Sequence, residues 1–151
     1  MKRRRQSRGQ ALVEFAMVIW VFLLLFFGAV AAAIHSLQRE VAETAASVGV
    51  QAAASADRAN PANPNLAAAY APTMRILQPV MFDTQISEMP VGSRCDPPGG
   101  PGRIEVCVYQ DRNLVVERIS GRPQYLVPYL AQWLNLSIDV TLGVRQVTYQ
   151  S

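Results

Sequence analysis

The groups able to act as catalysts or ligands are few. His35 is the single histidine of 151 residues, and Cys95 and Cys107 are the two cysteines. A metal cage of the Cys/His type takes about four such ligands, so none can be built within one chain. His35 lies at the end of a long apolar run and reads as an interfacial residue. A Ser-His-Asp or Cys-His site in the downstream residues is therefore excluded. Gly99-Gly100-Pro101-Gly102 lacks the Lys-Ser/Thr pair and the following helix of a phosphate loop. Asp83, Glu88, Asp96 and Glu105 show no spacing that singles out an acid/base pair, and they read as solvated surface. The expectation is a non-enzymatic chain with no catalytic residue, no metal and no cofactor.

Two spacings do carry chemistry. Cys95 and Cys107 enclose Asp96-Pro97-Pro98-Gly99-Gly100-Pro101-Gly102, a Pro/Gly turn. In an oxidising compartment such a pair reads as a disulfide. Closing the loop would stabilise the fold by about 3 kcal/mol in the chain-entropy model. The second is Glu14, a carboxylate at the mouth of an apolar segment, where burial is costly without a partner. If the chain were cut between Gly9 and Gln10, Glu14 would become the fifth residue and Phe15 the sixth. The new α-amine of Gln10 in one subunit would then pair with Glu14 of a neighbour and set the register between helices. Alternatively, Glu14 sits at headgroup level near a helix start, where the macrodipole favours an anion.

The element that positions Glu14 is the apolar run. From Phe15 to Ile34, 19 of 20 residues are apolar and none is charged. About 20 residues at 1.5 Å per residue span about 30 Å, the hydrocarbon thickness of a bilayer. Five of the 14 basic residues fall within the first nine positions, leaving nine against 11 acidic groups for the rest. The pI near 9.2 thus describes a tail. A nucleic-acid-binding face is not expected, because it would spread its Lys and Arg over one folded surface. The basic cluster keeps the N-terminus cytoplasmic and puts the chain after the span outside. Three fates of the segment remain open on these grounds. It is a signal peptide cleaved near Ala31–Ala33, an uncut signal anchor, or a span retained after cleavage on its cytoplasmic side. The first two would make the chain a secreted or anchored surface binding domain.

Arg8-Gly9-Gln10-Ala11-Leu12-Val13-Glu14-Phe15, followed by the apolar run, resembles the N-terminus of TadE- and TadG-like proteins. These are minor pseudopilins of the tight-adherence (Tad) pilus, a branch of the type IV pilus machinery. The resemblance implies a basic leader, residues 1–9, removed by a prepilin peptidase, with Gly9 and Gln10 as processing residues. It implies that Glu14 and Phe15 serve recognition and register. The implied partners are membrane lipid, the peptidase, and other pilin or pseudopilin subunits and pilus machinery through the N-terminal helix. The implied place is the bacterial inner membrane, single pass, with an extracytoplasmic head and a role in priming, capping or supporting the pilus.

The fold class expected is α+β. A transmembrane helix and stalk over residues 10–58 precede a small mixed head with antiparallel strands over 59–151. Leu37, Val41, Ala45, Val48 and Ala52 recur at helical spacing, with Gln38 and Arg39 facing elsewhere. Gly28 and Ala32 form a weak small-xxx-small pair. Asn60-Pro61-Ala62-Asn63-Pro64 stops the helix. Leu66–Leu77 reads as helix, interrupted or restarted at Pro72. Val80–Glu88, Arg103–Gln110, Leu114–Ile119 and Ser137–Tyr149 read as strands, the second and third paired across Asp111-Arg112-Asn113. Leu126, Tyr129, Leu130, Trp133 and Leu134 mark a further helix. A phase slip near Arg145-Gln146 suggests a bulge.

Overall fold

A computed structural model describes residues 3–56, 65–81, 83–95, 101–124 and 136–145, with side chains from residue 10 onward. Helix α1 runs Arg3–Ser55. A 3-10 turn at Leu66–Ala69 leads into α2, Tyr70–Leu77. Four strands follow: β1 (Gln85–Glu88), β2 (Arg103–Asp111), β3 (Leu114–Arg122) and β4 (Ile138–Arg145). The class is α+β, as the sequence pattern implies. The chain divides into two compact units, Met1–Ile34 and His35–Ser151.

In the first unit the side chains from Gln10 to Phe27 are all exposed, among them Leu12, Phe15, Trp20, Phe22 and Leu24. Over its most apolar stretch the mean hydropathy is 2.7, enough by length and composition to cross a bilayer.

In the second unit the strands form one sheet in the order β1-β2-β3-β4. β1 runs parallel to β2, and the other neighbours are antiparallel. Asp111 pairs with Leu114 across Arg112-Asn113, which closes the β2–β3 hairpin at the expected place. Alternation puts Ile104, Val106 and Val108 of β2 on the inner face, with Val115 and Ile119 of β3 and Ile138 and Val140 of β4. They share one core with Ala42, Ala45, Ala46, Val50 and Ala53 of α1, and with Ala69, Tyr70 and Leu77. Burying each Val, Leu or Ile stabilises the fold by about 1.5–3 kcal/mol.

Three details differ from the sequence reading. First, the face of α1 that packs is turned by about one residue. Gln38, Ala42, Ala45, Ala46, Val50 and Ala53 are buried, while Leu37 is 54 % and Val48 38 % exposed. Small side chains let the helix backbone approach the sheet closely, so Ala and Gly select the contact face in preference to Leu and Val. Second, the expected strand at Val80–Glu88 is confined to Gln85–Glu88. The amides of Val80 and Met81 still bond to the Leu77 carbonyl, and Asp83 adopts φ +42, so the chain turns before it extends. Third, the helix starting at Leu66 is a 3-10 turn that becomes α-helical at Tyr70. Pro72 lies in the first turn of α2, where a missing N–H breaks no helical bond.

The expected helix around Leu126–Leu134, the breaker Asn60–Pro64 and, beyond Arg145, the residues Gln146, Val147 and Tyr149 of the expected bulge lie outside the described residues.

Candidate functional site

The residues proposed for processing and register are all on α1. Gly9 and Gln10 fall inside the helix, which begins at Arg3. Gln10 Nε2 donates to Glu14 Oε1 at 3.3 Å, an i,i+4 pair on the exposed helix surface. Phe15, next to it, is 63 % exposed. The polar pair thus stands where the apolar surface begins, and Met17, Val18, Val21, Phe22 and Leu25 line one shallow apolar face beyond it. An exposed surface of this kind has two ordinary occupants, lipid tails and another helix.

Cys95 and Cys107 are joined, with their Cα atoms 5.6 Å apart. Cys107 has the parity of Glu105 and Tyr109, on the sheet face opposite the α1 core. The bond therefore ties the connection between β1 and β2 to that outer face. Parallel neighbours need a crossover of about a dozen residues, and here it is residues 89–102. Arg118 adds a second tie. Its Nη1 donates to the Cys95 carbonyl at 3.4 Å, and its Nε and Nη2 form a fork with Asp139 at 2.9 and 2.8 Å. That hydrogen-bonded guanidinium holds the Asp139 carboxyl below its ordinary range. Arg94 lies over the Tyr109 ring, 5.6 Å from its centre.

The sequence reading passed over Glu117. It is fully buried on β3, between Val108 of β2 and Leu142 of β4 in register. Its Oε1 lies 2.7 Å from Thr73 Oγ1 on α2. Its Oε2 has no hydrogen-bond partner. Burial pushes the carboxyl up to about 8, against the smaller lowering effect of the Thr73 hydrogen bond. The available signal was parity: Val115, Glu117 and Ile119 alternate, so a strand that buries the two apolar residues buries the acid between them. Of the surface carboxylates named from the sequence, Glu88 is exposed and Glu105 pairs with Arg103 at 3.4 Å. Asp96 lies outside the described residues. Among the described residues no group of His, Cys, Asp and Glu is placed to hold a metal ion.

Comparison with known proteins adds one finding. Residues 9–51 match the family model for TadE-like protein. The match starts at the Gly9 of the motif and covers Glu14, Phe15 and the apolar run, in agreement with the resemblance drawn from those residues. Neither the curated proteins nor the solved structures gave a match.

Proposed function

With residues 9–51 forming a TadE-like segment, we propose that the chain is a non-enzymatic pseudopilin of a Tad pilus machine, anchored in the bacterial inner membrane by its N-terminal helix. The family match and the long apolar helix fit a membrane-anchored pilus component. In this reading residues 1–9 are a leader that a prepilin peptidase removes between Gly9 and Gln10. Residues 10–58 are span and stalk, and 59–151 form the head. The N-terminus stays cytoplasmic because the leader is basic, and the head is extracytoplasmic. Subunits associate through the exposed helix, with Glu14 and the freed amine of Gln10 fixing register and Phe15 serving recognition. The observation that carries the reading is that one helix joins the family match, which opens at Gly9, to an exposed apolar surface that includes Leu12, Phe15, Trp20, Phe22 and Phe27.

The test is the mature N-terminus, read as the intact mass of protein purified from membranes of its native host. A start at Gln10 supports the proposal. A start near Ala32 or Ile34, or an uncut chain in a host with active peptidase, overturns it. A Glu14→Ala variant is expected to lose incorporation into the assembly, read by co-purification with pilus components. Unchanged processing and incorporation together would remove the role assigned to Glu14.

A further inference from the structure

Three elements of the second unit meet at Glu117. The carboxyl rises from β3, Thr73 comes from α2, and Gly49 comes from α1. Glu117 Oε2 and Thr73 Oγ1 both abut Gly49 so closely that a methyl there would overlap them, and even Glu117 Cδ would stand only 2.9 Å from it. Gly49 is thus the notch through which the acid touches the helix backbone.

Counting hydrogens indicates which form of the acid fits. Thr73 Oγ1 lies 2.7 Å from Glu117 Oε1, 2.9 Å from the Ala69 carbonyl and 3.4 Å from the Ala45 carbonyl. Its hydroxyl has one hydrogen for these acceptors. Facing a carboxylate, that hydrogen is drawn to Glu117, the carbonyls lose it, and Oε2 remains a buried charge without a donor. Facing a neutral carboxyl, the Glu117 O–H donates to Thr73 Oγ1, and the Thr73 O–H donates to Ala69. Oε2 is then an uncharged carbonyl oxygen against the Gly49 Cα, a tolerable contact.

Among the described residues the packed elements supply no cation, and Glu88 of β1, which has the parity of the inner face, is exposed. Arg39, Glu40 and Glu43 of α1 are exposed, as is Arg75 of α2. The Tyr70 hydroxyl of α2 donates to the Met89 carbonyl at 2.6 Å. Arg103, Glu105, Tyr109 and Asp111 of β2, Arg118 and Arg122 of β3, and Asp139 and Arg145 of β4 have the parity of the opposite sheet face.

We propose that Glu117 is a proton-dependent latch, which fastens residues 35–55 of α1 to the sheet while its carboxyl is neutral and loosens that packing when the proton passes to solvent. Opening hydrates the carboxyl and releases one proton to water. A group whose bound form is raised to about 8, from an ordinary 4.5, favours the closed state most below 4.5. That advantage falls as pH rises to about 8 and changes no further above it.

The test is amide hydrogen exchange on the full chain in detergent micelles, at pH 6 and pH 9, corrected for intrinsic rates. In the peptides covering Ala42–Ala53, wild type is expected to open on the order of 100-fold more at pH 9. Glu117→Gln keeps a neutral donor for Thr73, so its opening is expected to be the same at both pH values. Equal pH responses in the two proteins would overturn the latch. Should the variant fail to fold, an infrared titration of wild type decides: the neutral carboxyl C=O band is expected to vanish with a midpoint near pH 8. A buried carboxyl already ionised at pH 6 would overturn the proposal.

Discussion

At the scale of single residues, the cluster of Gly49, Thr73 and Glu117 leaves little freedom to substitute. Gly49→Ala introduces a methyl where Glu117 and Thr73 already stand. Overpacking of this kind costs about 1–3 kcal/mol, and the expected result is a lower midpoint in chemical unfolding. Among the described residues Thr73 is the side-chain hydrogen-bond partner of Glu117, and Thr73→Val removes it while keeping the side-chain shape. Leaving a buried polar group unsatisfied costs about 1–3 kcal/mol. The Thr73 hydroxyl touches the carboxyl directly, so its loss is expected to shift the Glu117 midpoint in the same infrared titration. Unchanged titration in Thr73→Val would mean that burial alone sets it. The acid could be found from the sequence by strand parity, since it shares the phase of Val115 and Ile119. Its partners could not, because Gly49 and Thr73 are 68 and 44 residues away and no local pattern brings them together.

At the scale of elements, the 89–102 crossover depends on its ties to the outer face of the sheet. Replacing both Cys95 and Cys107 by Ser is expected to cost about 3 kcal/mol for a loop of this length, measurable as a fall in Tm. Protease sensitivity is expected to rise first in residues 89–102, where Arg118 and Arg94 would be among the remaining side-chain ties. Uniform sensitivity along the chain would count against a local role for the disulfide. The hairpin and the α-helix were legible because their signals are local: alternation in Arg103–Gln110, a two-residue turn, and an apolar run free of Pro. The contact face of α1 was not. In an Ala-rich helix several faces have similar apolar content, and the partner sheet decides which is used. Leu37 stays exposed and Gln38 is buried because Gln38 lies on the side of α1 that carries Ala42, Ala45 and Ala46. The start of β1 was misplaced for a similar reason. Val80 and Met81 have strand composition, yet their amides finish the turn after α2.

At the scale of the whole molecule, the core of the second unit includes α1 residues from Gln38 to Ala53. A fragment of residues 35–151 is therefore expected to fold with dispersed NMR signals. A fragment of residues 59–151 lacks the Ala-rich face and is expected to remain largely unfolded. Equal dispersion in both would show that the sheet needs no helix from α1. The same sharing of α1 sets a timetable. A chain made from its N-terminus reaches Gly49 long before Glu117, and β4 comes later still. At about 5–20 residues per second, the intervening 68 residues take on the order of ten seconds. Through that interval the buried side of the first-made helix has nothing to close on, so the element synthesised earliest is among the last to be completed.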